Sequence, residues 1–314
     1  MRDAPDAPVM RATLQALLTH AIDYAGLFPP ADLELGEALT NYGEYVRSPE
    51  RWMLGPFVLP VGKLESAAAT LTPFDVENRL RISALLAKPE SAADAAQALT
   101  AASNAIRVFN ESHGATASVD QLEMPLPADA GAALIADLAE IGAALKLPLF
   151  LEAPVDDAEQ TIAWLADVRA GESAPPIGFK LRTGGVIASA FPSSVQIARA
   201  LVASATTRVS VKFTAGLHHP IRGFQASVQT KMHGFLNVLG AGVLACEHGW
   251  DVQQTAAMLE DENAESFMFT DEEFSWADYA IFSGQISAHR ALITSLGSCS
   301  FTEPCDDLRA LGLL

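Results

Sequence analysis

Pro176-Ile-Gly-Phe-Lys-Leu-Arg-Thr-Gly-Gly185, an Ala-containing segment across 193–205, and Arg208-Val-Ser-Val-Lys-Phe-Thr-Ala-Gly-Leu-His-His219 read in succession as strand, helix, strand. Each strand is a short apolar run that ends in a Gly-containing turn. Strands separated by a helix pair in parallel, and strands buried on both faces read as continuous apolar runs rather than alternating ones. The same rhythm extends upstream. Strand-like runs occur at Met53–Leu59, Leu80–Ala87, Ala117–Met124 and Leu149–Ala153, with Ala-rich helical segments at about 62–72, 91–109, 129–145 and 156–169. Counting Gly178–Arg182 and Val209–Thr214, six strands are clear.

At either end the rhythm changes. Met10, Leu14, Leu17, Leu18 and Ile22 recur at helical spacing, and a second helix follows at about 33–46. After Lys212, residues 214–231 read as an irregular loop. Helices are expected at Met232–His248 and about 251–260, a late strand at Ser266–Phe269, and a long helix over Ala277–Leu296. No Gly-x-Gly-x-x-Gly follows the first strand, so a dinucleotide-binding open sheet lacks support. Length and element order favour a (β/α)8 TIM-like barrel across 49–314, preceded by an N-terminal helical extension across 1–48. The position of the eighth strand stays open.

The 314 residues are 50% hydrophobic and 18% charged, ample material for one large core. A net charge of −18 argues against nucleic acid and anionic membrane as partners, though not against a small anion in a locally cationic pocket. Cys246, Cys299 and Cys305 form no CxxC pair, so neither a disulfide framework nor a zinc ribbon is indicated. The first residues, Met-Arg-Asp-Ala-Pro-Asp-Ala-Pro, lack a basic region followed by an apolar stretch, and no run has the length of a membrane span. A cytoplasmic location is expected, and homo-oligomer formation is left open.

In a barrel, the C-terminal ends of the strands converge on one mouth. Those positions carry Glu123, Glu152, Lys180 with Arg182, and Lys212 with Thr214. Lys180 and Lys212 are two of only six lysines, and both interrupt apolar runs. Their neighbours Phe179, Leu181, Val211 and Phe213 are apolar, as alternation requires if both lysines face the interior. Burial and a neighbouring cation both disfavour a charged amine, and a neutral amine is what imine formation on a carbonyl needs. The plainer alternative is that each lysine ends its strand in an ion pair with Glu123 or Glu152. Arg182, Thr183, Gly184 and Gly185 offer a guanidinium and backbone N–H groups to a phosphate or carboxylate, although glycines also serve ordinary turns. Arg222 is a second candidate for the anionic end of a substrate. His218 suits general acid or base work. His233 and Asn237, four apart, are placed toward the mouth on one helical face.

The lysine pair on consecutive strands, each followed by Thr and Gly, resembles the class I aldolases of the deoxyribose-phosphate aldolase type. Phe179-Lys-Leu-Arg-Thr-Gly184 is similar to that family's imine-forming segment, and Val211-Lys-Phe-Thr-Ala-Gly216 to the neighbouring one. Arg182 interrupts the first motif, and His218-His219 stands where the family has a glycine-rich phosphate loop. Asp23-Tyr-Ala-Gly-Leu-Phe-Pro-Pro30 and Lys212-Phe-Thr-Ala-Gly-Leu-His-His-Pro220 are also similar to a bacterial family with no assigned activity. The aldolase resemblance implies a lyase that needs no cofactor and acts on a small anionic carbonyl substrate. In it Lys180 is the candidate nucleophile and Lys212 lowers its pKa, with the two roles open to exchange, and Glu123, Glu152 or His218 moves the proton. Two alternatives stand beside it. One is a divalent metal such as zinc, held by Glu152, His218 or His219, and His233 in a lyase or hydrolase. The other is a non-catalytic small-molecule-binding barrel.

Overall fold

A computed structural model describes residues 11–170 and 176–314. Eight parallel strands close into one barrel, numbered here β1 (Ile22–Tyr24), β2 (Leu54–Pro60), β3 (Leu80–Leu85), β4 (Ala117–Pro125), β5 (Leu149–Glu152), β6 (Ile177–Arg182), β7 (Ser210–Thr214) and β8 (Ile293–Ser298). Each pairs with its neighbours in sequence, and β8 returns to β1 through Ile22–Leu296 and Tyr24–Ser298. The six strands anticipated from apolar runs are all present, with ends within two residues of expectation.

Helices Ala92–His113, Ala132–Ala143, Ala158–Val168 and Ser194–Thr207 cross between strands, on the outside of the barrel. Their starts follow local chemistry. Ser91 Oγ accepts from the Asp94 N–H, and Ser193 with Gln196 forms a reciprocal capping box. Buried Ala95, Ala102, Ala139, Ala198 and Ala200 let these helices lie close to the sheet.

Both ends of the chain correct the expectation. Residues 1–48 are not a purely helical extension, because β1 lies within them and is needed to close the barrel. The first helix is Ala12–Leu18; Met10 and the N-terminal residues before it lie outside the described residues. His20, at φ 50°, turns the chain out of the helix into β1, and a three-residue strand was hidden in apolar spacing that continued to Ile22. The expected long helix over Ala277–Leu296 is instead strand Tyr279–Phe282, helix Ser283–His289 and β8. Ala277, at φ 50°, turns the hairpin that pairs Glu273–Trp276 with Tyr279–Phe282, and Met268–Phe269 joins that antiparallel sheet rather than the barrel. The loop after β7 contains a hairpin, Gly223–Gln225 with Thr230–Met232. The tail folds as a helix, Thr302–Ala310, with Phe301 and Cys305 buried. Among the described residues no helix is long and apolar enough to cross a membrane.

Candidate active site

Lys180 and Lys212 are register partners on β6 and β7, and Glu152 on β5 is the partner of Lys180 on its other side. Phe179, Leu181, Val211 and Phe213 are fully buried on the opposite face, so alternation turns both lysines inward. Glu123 stands two residues before Pro125, the partner of Glu152, and so one side-chain layer deeper in the barrel.

These side chains form a chain of alternating charge. Arg182 donates through Nε to Glu152 Oε1 at 3.0 Å, and its Nη2 lies at 3.0 Å from the same oxygen. Glu152 Oε2 and Glu123 Oε2 each lie 2.8 Å from Lys180 Nζ. Glu123 Oε1 accepts from Lys212 Nζ at 2.6 Å and from Ser83 Oγ at 2.5 Å. Lys212 Nζ donates in addition to Asp23 Oδ2, which also accepts from Gln121 Nε2 at 2.9 Å and Ser295 Oγ at 3.0 Å. Three carboxyl groups thus alternate with three cationic side chains, a formally balanced set in which burial raises the pKa of Asp23 against the attraction of Lys212. Lys212 and Asp23 are 0% exposed, Glu123 1% and Lys180 3%.

Burial alone would raise the pKa of Glu123, but the two ammonium groups outweigh it and hold this carboxyl well below its usual range. Glu152 is lowered in the same way, burial being overcome by Lys180 and Arg182. Burial favours the neutral amine of Lys212, yet the attraction of Asp23 and Glu123 prevails and raises its pKa. The direction is opposite to that expected from burial and a neighbouring cation, and it follows the ion-pair alternative instead, with Glu123 as an expected partner of Lys212 and Asp23 as an additional one. Lys212 is a fixed cation.

A cavity of about 430 Å³ opens above the cluster and is lined by Glu123, Glu152, Lys180, Arg182, Gly184, Gly185, Lys212, Thr214 and His218. Nine of the expected site residues therefore meet in one place. Thr183 does not face the cavity; it is buried and donates its hydroxyl to Ala215 O at 2.6 Å, tying the β6 loop to the β7 loop. A Cβ on Gly184 would lie 2.5 Å from the Phe191 ring and 2.8 Å from Gly216 Cα. The glycines there are explained by the close approach of the two loops.

The residues expected farther along the chain do not reach the cavity lining. Asn237, fully buried, donates to Met258 O and Asp261 O and accepts from the Arg222 N–H, so it fastens a helix instead of facing the mouth. His233 precedes that helix (Phe235–His248) and its Nε2 lies 2.8 Å from Pro192 O. The Arg222 guanidinium is directed toward Glu262 at 3.8 Å. His219 Nδ1 lies 2.6 Å from Asp307, away from the cavity lining. Glu152, His218, His219 and His233 thus have different partners and do not form one coordination set. Among the described residues no group of three or more His, Cys, Asp or Glu side chains is arranged to hold a metal.

His218 does line the cavity. Its Nδ1 is 3.1 Å from Glu303 Oε2 and 3.9 Å from Cys299 Sγ. Burial lowers its pKa, but the hydrogen bonds to Cys299 and Glu303 carry it up to about 9, so at neutral pH it is an acid rather than a base. Asp23, Ser83, Gln121, Ser295 and Cys299 were not anticipated as site residues. Asp23 had two signals, its place at the head of the Asp23–Pro30 motif and a carboxylate inside the apolar run before Tyr24, the latter masked by the helical spacing around it. Gly55 on β2 makes room for it, since a Cβ there would stand 2.0 Å from Asp23 Oδ1. No protein-family model matches the chain, and no curated protein matches it either.

Proposed function

We propose that this protein is a carbon–carbon lyase that binds a small carbonyl compound as an imine on Lys180. The observation that carries the reading is the position of Lys180. It lies in the cavity wall between two carboxylates, with a second lysine bound to the far oxygen of one of them. Lys212 is fully buried with its pKa raised by Asp23 and Glu123, which favours Lys180 over it as the nucleophile. This ordering of roles is the one that the aldolase resemblance implies.

In the proposed reaction Lys180 gives a proton to Glu152 and attacks the carbonyl carbon, and Glu152 returns that proton to the carbinolamine hydroxyl, so that water leaves and an iminium forms. The electron pair of the scissile carbon–carbon bond moves toward the iminium nitrogen, giving an enamine. At the same time the β-hydroxyl becomes a carbonyl and surrenders its proton to a carboxylate. An acid, for which His218 is the candidate, protonates the enamine carbon. Water then hydrolyses the iminium and restores the amine. Glu123, held as an anion, faces the positive nitrogen throughout and stabilises it electrostatically.

Incubation with a panel of aldehydes and ketones under borohydride, followed by peptide mass mapping, tests the proposal. The expected result is a reduced adduct on Lys180, absent in Lys180→Met. No adduct on Lys180 across a broad panel would sink the imine reading and favour a binding role for the barrel.

A further inference from the structure

The cavity has two unlike halves. Its floor is the charge-balanced cluster, whereas its outer wall carries Phe28, Pro29 and Pro30 from the loop after β1, and Val186, Ile187 and Ala190 from the loop after β6. Val186 and Ile187 are 56% and 60% exposed, which puts apolar surface where a substrate's distal end would rest. On the sequence, that place was reserved for an anion.

We infer that the substrate is a neutral carbonyl compound with an alkyl or aryl substituent, and that Val186 and Ile187 select it. The inference rests on the proposed imine chemistry of the same cavity and concerns the part of the substrate remote from Lys180. Its first support is electrostatic. Among the described residues lining the cavity, every cationic side chain already has a carboxylate: Arg182 has Glu152, Lys180 has Glu123 and Glu152, Lys212 has Glu123 and Asp23, and His218 has Glu303. A phosphate or carboxylate on the substrate would add uncompensated negative charge inside a protein of net charge −18. Arg222, the other candidate for the anion, is outside the cavity lining. The second support is apolar area. Each methylene taken from water into such a wall is worth about fourfold in affinity, so a side chain of a few carbons gains more there than a charged one.

The test compares 4-phenyl-2-butanone with pyruvate and glyceraldehyde 3-phosphate as borohydride-trapped ligands of the full chain. Half-labelling of Lys180 is expected at a concentration at least tenfold lower for 4-phenyl-2-butanone than for either anion. Val186→Lys combined with Ile187→Lys, at two exposed positions, should narrow that ratio to threefold or less. Labelling by pyruvate or glyceraldehyde 3-phosphate at equal or lower concentration overturns the inference. Should no carbonyl label Lys180, the imine reading fails by itself, and calorimetry with 4-phenyl-2-butanol, lactate and glycerol 3-phosphate decides the rest. Binding of the alcohol at least tenfold tighter than either anion sustains the selection of apolar substituents. Equal or tighter binding of an anion, or no binding of the alcohol, rejects it.

Discussion

The floor and the rim of the cavity solve different problems. On the floor, six ionic side chains from β1, β4, β5, β6 and β7 hold one another, and apart from Arg182 little of them meets solvent. On the rim, apolar side chains from two loops line the opening, Val186 and Ile187 being the most exposed of them among the large hydrophobics. Buried charges are kept only where each has a partner in good geometry, so the floor tolerates almost no change. A rim of exposed loop residues tolerates many. Substitutions of the buried floor residues should therefore move stability and chemistry together, the half-exposed Arg182 should matter little for stability, and substitutions at the rim should move preference alone.

The severest way to break this contrast is Lys212→Met. It leaves Asp23 and Glu123 buried beside an apolar side chain, and removal of one partner from a buried pair typically costs about 3–5 kcal/mol. Urea unfolding should show the loss, and adding Asp23→Asn should recover part of it. If Lys212→Met unfolds with the midpoint of the parent protein, the floor is not an ionic unit.

Much of this floor could be read from the sequence, because five of its members stand at the ends of runs that were unmistakably strands. Glu123, Glu152, Lys180, Arg182 and Lys212 were found by position alone. Asp23 was not, since a three-residue strand carries too few residues to show a period of two, and its apolar neighbours fell on the helical spacing of Leu14, Leu17 and Leu18. β8 was lost in the same way, within apolar residues running from Ile281 to Leu296 that mix strand, helix and strand. His233 and Asn237 failed for a different reason. Spacing gives a shared face but not which neighbour that face meets, and here the neighbour is the segment Met258–Asp261.

That misplacement supplies the next test. Asn237→Ala strips partners from Met258 O, Asp261 O and the Arg222 N–H, and should cost about 2–4 kcal/mol in unfolding experiments. Labelling of Lys180 should be unchanged below the transition. A selective loss of labelling in a stable variant would return Asn237 to the site.

His218 lies between floor and rim and gives a smaller, pH-dependent effect. Its folded value of about 9 exceeds the ordinary imidazole value near 6.5. The charged imidazole, held by Cys299 and Glu303, therefore stabilises the fold fully below about pH 6.5, and its contribution is lost as pH rises through 9. Glu303 is partly exposed, so after discounting for screening the change is on the order of 2 kcal/mol. Unfolding free energy measured from pH 6 to 9.5 should fall accordingly, and His218→Gln should flatten the decline. Equal slopes in the two proteins would mean that the pair is not formed.

The least change is expected at Arg182, and it bears most directly on what divides the two halves. Its side chain is half exposed, and both of its contacts go to a single oxygen of Glu152. An exposed pair of this kind contributes less than about 1 kcal/mol, so Arg182→Gln should leave stability nearly unchanged. The effect on ligands separates two roles. A guanidinium that clamps a substrate anion would, when removed, weaken pyruvate labelling tenfold or more, because a charge-assisted contact is lost. A guanidinium that orients Glu152 loses only a positioning contact for the base beside Lys180. In that case pyruvate and 4-phenyl-2-butanone should shift together, by threefold or less, and the ratio between them should stay constant. The constant ratio is the outcome that places Arg182 with the floor, and a selective loss of pyruvate would assign it to an anion subsite at the rim.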